Sequence, residues 1–142
     1  MKTASVLIPI LLAVSTAEDF HRHSISATVI PIDPGLIYPD VGYEYSLTEN
    51  DAIGVSSGVG LINRFTYTRK IGVLCLTGSL GMLTPDHDFN RMEAFTAISA
   101  EYRQPLGEHV YSRIVGSAVF FEDLPYDLPL IPVIQIGFVY GL

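Results

Sequence analysis

Serine, histidine and carboxylate side chains are the residues of this chain that can support hydrolysis, as nucleophile, base and orienting acid. The four histidines are His21, His23, His87 and His109. His87 is flanked by two acids, Asp86 and Asp88, but has no serine beside it in sequence. Ser79 or Ser117 would have to approach it through the fold. We interpret His87 as a solvated loop histidine and keep a catalytic base as the alternative.

The same segment also offers oxygen ligands of the kind that Ca²⁺ or Mg²⁺ prefers. The acidic side chains that can contribute are Asp86, Asp88, Glu122, Asp123 and Asp127. They lack the spacing of an EF-hand, so soluble acidic loops are the favoured interpretation. No dinucleotide, P-loop, zinc-protease or nucleophile-elbow motif is present. The sequence therefore predicts no metal site, no cofactor and no catalytic residue.

Composition narrows the class of protein. The chain has 142 residues, 49% hydrophobic and 16% charged, with a formal charge of −7 from 8 Lys+Arg and 15 Asp+Glu. This length suits one domain, and the apolar content argues against disorder. The acidic balance argues against a nucleic-acid partner. Cys75 is the single cysteine, which excludes an internal disulfide and a cysteine-rich zinc site.

Residues 1–17 have the features of a secretory signal peptide. Lys2 supplies the positive charge, an apolar run follows, and Ser15 and Ala17 place small residues before a cut at Glu18. The apolar run is shorter than the roughly 18–20 residues that a spanning helix needs. The mature domain is therefore predicted to cover residues 18–142.

After residue 20 the apolar residues recur with period two rather than at helical spacing, which predicts strands. From Arg91 to Arg103, one face carries the charges and the other carries none. The predicted strands are His23–Ile32, Asp40–Thr48, Asp51–Ile62, Arg64–Thr68, Lys70–Leu83, Arg91–Gln104, His109–Phe121 and Leu130–Leu142. Short and long connections alternate along the chain, which is typical of an eight-stranded antiparallel up-and-down barrel.

The polarity of the strand faces predicts which side of the barrel meets which solvent. An eight-stranded barrel has room inside only for packed side chains, so small and charged residues are expected inward. Six inward charges balance as predicted lumen ion pairs: Glu44, Arg64, Glu93, Glu101, Arg103 and Arg113. The large aliphatic residues then face outward, as in a transmembrane β-barrel.

Four tyrosines near the ends of like-directed strands predict an aromatic girdle at one membrane interface. These are Tyr45, Tyr67, Tyr102 and Tyr140. The alternative is that they are ordinary strand tyrosines, because tyrosine favours sheets in any case.

The last eight residues carry a resemblance to a known family. Gln135, Gly137, Tyr140 and Leu142 occupy the four specified positions of the C-terminal assembly signal of bacterial outer-membrane β-barrels, although bacterial signals most often end in Phe. With the signal peptide and strand count, the chain resembles the small OmpA/OmpX-like barrels. The resemblance implies the bacterial outer membrane as location, with a porin-like architecture. Its lipid, lipopolysaccharide and assembly machinery are the implied partners.

Three functions follow as alternatives. We expect a non-enzymatic barrel that presents loops at the cell surface for envelope integrity or adhesion. The first alternative is a lipid A-modifying hydrolase that uses His87, since some small outer-membrane barrels are enzymes. The second is a secreted or virion β-protein.

Overall fold

Eight strands make up almost all of the described chain. The computed structural model describes residues 22–33, 36–58, 62–84, 92–121 and 130–142. The strands are β1 (His23–Asp33), β2 (Leu36–Ser46), β3 (Asp51–Gly58), β4 (Ile62–Ile71), β5 (Leu74–Leu83), β6 (Glu93–Pro105), β7 (Val110–Phe121) and β8 (Ile131–Gly141). No helix within these ranges is long and apolar enough to cross a membrane.

Each strand pairs antiparallel with the next, and the sheet closes on itself through β1 and β8. The closing register runs from Ser24 opposite Gly141 to Val29 opposite Ile136. Closure removes the unpaired strand edges that an open sheet would leave. The predicted eight-stranded antiparallel barrel is therefore confirmed.

The turn between β4 and β5 differs from the prediction. A turn was expected at Thr68-Arg69-Lys70, but β4 continues to Ile71 and Arg69 pairs with Leu76. The chain instead reverses at Gly72, whose φ of 62° lies in the left-handed region that favours glycine. The predicted turn was wrong because Arg69 and Lys70 still pair with β5, and Gly72 supplies the backbone conformation that the reversal needs.

The connection after β1 is also shorter than expected. The segment Asp33–Pro39 was predicted as a long loop because proline and acid residues are typical of loops. In the structure β1 reaches Asp33, β2 starts at Leu36, and Pro39 lies opposite Val29 in the ladder. Similarly, β3 ends at Gly58 and Ile62 begins β4, so the predicted third strand was too long.

The two faces of the sheet differ in size and polarity of side chains. Inward positions include small residues such as Ala52 and Ala97, both buried. Larger inward groups fit where the opposite position is a glycine, because a Cβ on Gly81 would collide with the Phe95 ring. The Phe95 ring also packs against that of Phe121, with centroids 5.6 Å apart. Aromatic packing therefore fills the part of the interior next to Gly81.

Candidate functional site

The interior of the barrel collects most of the charged side chains of the strands. Successive residues of a strand point to opposite faces, so an inward charge recurs only at every second position. In β6 this rule places Phe95, Ala97, Ser99 and Glu101 inward, and all four are buried. The outward residues between them are exposed. The candidate site is therefore the lumen.

Glu101 is the centre of one ion-pair network, the central cluster, which consists of Glu44, Glu101, Arg103 and Arg113. The Glu101 side chain is 2% exposed and accepts from Arg103 Nε at 2.5 Å and Arg113 Nη2 at 2.9 Å. Arg103 Nη2 also donates to both oxygens of Glu44, at 3.0 and 3.2 Å. Two carboxylates and two guanidinium groups cancel in charge, which a buried network requires.

A second network, the Asp40 cluster, consists of Asp40, Arg64, Ser56 and Gln135. Arg64 Nη2 forms an ion pair with Asp40 Oδ2, and Arg64 Nε donates to Ser56 Oγ at 3.0 Å. Arg64 Nη1 lies 3.5 Å from Gln135 Oε1. Asp40 is 4% exposed, so this pair is also shielded from solvent. The cluster ties β2, β3, β4 and β8 together across the lumen.

The structure places five of the six charges expected as lumen ion pairs in these two clusters: Glu44, Arg64, Glu101, Arg103 and Arg113. Glu93 lies at the start of β6, is exposed, and belongs to neither cluster. Asp40, which was not among the six expected charges, is the acidic partner of Arg64 instead. The predicted strand Asp40–Thr48 already contained Asp40, and its alternation with Gly42 and Glu44 is the signal that could have placed it inward.

Two pairs of hydroxyl groups also lie in the lumen. Thr68 and Thr77 are 2.9 Å apart between their Oγ1 atoms, and Ser99 and Ser117 are 2.8 Å apart between their Oγ atoms. Ser79 is buried there as well. Both serines considered as nucleophiles, Ser79 and Ser117, thus face the lumen.

The described histidines lie away from these serines, at the end of the barrel that holds the short turns. His23 Nδ1 lies 2.6 Å from the Tyr43 hydroxyl. The ring of His109 packs against that of Tyr140, with the ring centroids 6.0 Å apart. His21 and His87, with their neighbouring acids Asp86 and Asp88, lie outside the described residues. So do Glu122, Asp123 and Asp127. Within the described ranges no group of three or more ligand residues is arranged to hold a metal ion.

Outward tyrosines occupy the half of the barrel nearer the short turns. Tyr45 and Tyr67 lie in one row on either side of Ile53. The Tyr67 hydroxyl donates to Asp51 Oδ1 at 2.6 Å. Tyr102 and Tyr140 are each paired with a neighbour on β7, respectively Ile114 and Val110. All four tyrosines expected to form a girdle therefore face outward.

The C-terminal residues divide between the two faces. Gln135 is 2% exposed and points into the lumen, whereas Tyr140 and Leu142 face outward and are exposed. Gly137 also faces inward, where a Cβ would collide with the backbone of Ala27 and Thr28 on β1. Glycine at this position permits the close approach of β8 to β1 that closes the barrel.

A cavity of about 320 Å³ opens at the end of the lumen near the short turns. Glu44 and Arg103 form part of its lining, together with Lys70, Cys75 and Tyr111. A second, smaller cavity of about 50 Å³ is lined by residues of both clusters. The lumen therefore has an open cavity near the short turns and an ion-paired, charge-balanced section beyond it.

No protein-family model, curated protein or solved structure matches the chain. The fold and the placement of its side chains are therefore the basis for assigning a role. They define an eight-stranded antiparallel barrel with an ion-paired interior and an apolar exterior.

Proposed function

We propose that this chain is a bacterial outer-membrane β-barrel of the small OmpA/OmpX-like type. Its apolar outer face would lie in lipid, and its loops would be presented at the cell surface. The observation that carries the proposal is the polarity of the two faces. A water-soluble barrel directs apolar side chains inward, whereas this barrel directs them outward around a charged interior.

The outer face supports a lipid environment. Among the described side chains, large hydrophobic residues that are more than half exposed occur on at least seven of the eight strands. One from each of these strands is Val41, Val55, Phe65, Leu80, Ile98, Ile114 and Ile134. Water-soluble monomers seldom expose apolar patches beyond a few hundred Å². Lipid would cover this belt without the hydration cost that water imposes.

Closure of the sheet supports the same environment. Backbone N–H and C=O groups in hydrocarbon must pair within the protein, because no water is available to them. The pairing of β1 with β8 completes that requirement for all eight strands. A closed barrel therefore meets this requirement, and the polarity of its two faces distinguishes it from a water-soluble closed barrel.

Residues 1–17 and the C-terminal segment support export and assembly in this proposal. The signal peptide would direct secretion of the domain 18–142. On the outer face, Tyr140 and Leu142 would then be available to the outer-membrane assembly machinery. The four outward tyrosines of the expected girdle would lie at an interface rich in lipid headgroups. The longer connections after β5 and β7 would face the lipopolysaccharide side.

The proposed role is structural or adhesive rather than catalytic. The ion pairs and the aromatic pair fill the middle of the lumen, which favours a closed interior over a pore. Among the described residues, Ser117 pairs with the hydroxyl of Ser99, and Ser56 accepts from Arg64 rather than from a histidine. Presentation of loops for envelope integrity or adhesion needs only a stable anchor, which this barrel provides.

Fractionation of the native host and gel mobility test the proposal. The protein should sediment with outer membranes, resist extraction by urea, and migrate differently on gels before and after boiling. Its mature N-terminus should lie at or near Glu18. Recovery in the soluble secreted fraction, with mobility unchanged by boiling, would contradict the proposal and favour a secreted β-protein.

Planar bilayer recordings test the closed interior separately. We expect no large, stable single-channel current, because the two ion-pair clusters occupy the narrow section of the lumen. A steady large conductance from purified protein would show an open pore while leaving the membrane location intact.

A further inference from the structure

A small cavity in the lumen is lined by residues of both ion-pair clusters. It has a volume of about 50 Å³, and its lining includes Asp40 and Gln135 from one cluster and Glu101 and Arg113 from the other. A buried water requires about 10–15 Å³ of such space. The cavity therefore has room for at least one water-sized molecule.

Three polar atoms of the lining residues lack a hydrogen-bond partner among the described residues. They are Asp40 Oδ1, Arg113 Nε and Gln135 Nε2, and each atom is buried. Asp40 and Gln135 are 4% and 2% exposed, so bulk solvent does not reach them freely. Buried polar atoms in folded proteins are almost always paired with protein or ordered water.

The mixture of donors and acceptors selects the ligand. Asp40 Oδ1 accepts, whereas Arg113 Nε and Gln135 Nε2 donate. The carboxylates of Asp40 and Glu101 would repel an anion, and the guanidinium groups of Arg64 and Arg113 would repel a cation. A small neutral molecule that both donates and accepts can pair with atoms of either kind, and water has that chemistry.

We propose that this cavity is a binding site for ordered water that links the Asp40 cluster to the central cluster. Water would donate to Asp40 and accept from Arg113 and Gln135. The two clusters then form one hydrogen-bonded network that crosses the lumen from β2 to β7 and β8.

This site gives Gln135 a function inside the barrel. Its Oε1 accepts from Arg64 at 3.5 Å, which leaves Nε2 to donate into the cavity. The polar position of the C-terminal motif thus completes the interior network from the last strand. The outward positions Tyr140 and Leu142 remain available for recognition on the opposite face.

A crystal structure of the folded protein in detergent, at a resolution that shows ordered water, tests the site directly. We expect density about 2.7–3.2 Å from at least two of the three atoms. A cavity without density, or direct bonds from all three atoms to protein groups, would overturn the proposal.

Oxygen-17 magnetic relaxation dispersion provides a second test, with the Gln135→Met variant as probe. Methionine keeps the length of the side chain but removes both polar atoms. We expect the number of long-lived internal waters to fall by at least one and the thermal midpoint to fall. The matched control is Gln104→Met at an exposed outward position, which should change neither.

An unchanged water count in folded Gln135→Met would contradict the site. If that variant does not fold, the crystal structure of the unsubstituted protein still decides. Both measurements use protein in detergent, so they are independent of cellular location. The water site would stand even if the outer-membrane proposal failed, and the reverse also holds.

Discussion

Strand β6 presents two chemically different surfaces from one run of thirteen residues. Its inward residues include Phe95, Ser99 and Glu101, each held by particular partners: an aromatic ring, a serine hydroxyl and two guanidinium groups. Its outward residue Ile98 has 64% of its surface exposed. The lumen depends on specific pairs of side chains. The outer face depends on apolar character and not on the identity of each residue.

This difference predicts how each face responds to substitution. Removal of one partner in the lumen leaves a buried charge or hydroxyl unpaired, which costs more than loss of the contact itself. On the outer face, exchange of one apolar residue for another should cost little, whereas a charge should be costly only where lipid surrounds it.

The largest effect is expected in the central cluster. Replacement of Glu101 by Ala leaves Arg103 without its closest partner and Arg113 without its ion pair. Breaking a buried pair in this way costs about 3–5 kcal/mol. The free energy of unfolding, measured by urea titration in detergent micelles, should fall by that amount.

Glu93→Ala is the matched control for this prediction, because it makes the same change at the exposed start of the same strand. We expect a change within about 0.5 kcal/mol, as for an ordinary surface position. Equal losses in the two variants would show that Glu93 also has a buried partner and that the lumen assignment is incomplete.

The next effect is expected on the outer face. Ile98→Arg should destabilise the barrel by about 2–4 kcal/mol in a bilayer, the cost of a charge near the membrane midplane. Leu106→Arg, in the exposed turn after β6, should have almost no effect. Reversible unfolding in phospholipid vesicles measures both variants. If Ile98→Arg is neutral there, this position does not face lipid.

The smallest stability effect is expected at the C-terminus. The double variant Tyr140→Asp and Leu142→Asp places two charges near the proposed interface, where each costs about 0–1 kcal/mol. Folding in detergent should therefore survive while insertion in cells fails. Normal levels in the outer membrane, measured by quantitative immunoblotting, would show that these residues are not part of an assembly signal.

Period-two alternation was enough to predict the architecture and most of the lumen. All charges of β6 lie on one face, and the outward residues of β8 from Ile134 to Tyr140 are all large and apolar, so the two faces could be assigned from sequence. Five of the six expected lumen charges lie in the observed clusters for this reason. The sequence did not show which charges pair with each other. The partner of Arg64, for example, depends on the register between separate strands.

Local signals failed where tertiary pairing overrides them. Pro39 was interpreted as part of a loop, yet β2 continues through it. Asp40 lay in the predicted strand on the same face as Glu44, but it was not counted among the lumen charges. Gly72, rather than the charged residues before it, sets the turn after β4. The inward pair Phe95 and Phe121 was also missed, since its space depends on Gly81 of the neighbouring strand.

Depth-dependent fluorescence quenching is the most direct test of the central claim that the apolar face meets lipid and the charged face does not. The chain contains no tryptophan, so single replacements give an unambiguous signal. Ile98→Trp reports the outer face and Phe95→Trp the lumen, three positions apart on one strand. In vesicles containing brominated phospholipid, we expect strong quenching at position 98 and little at position 95. Equal quenching at the two positions, or quenching of position 98 by aqueous iodide alone, would contradict the account.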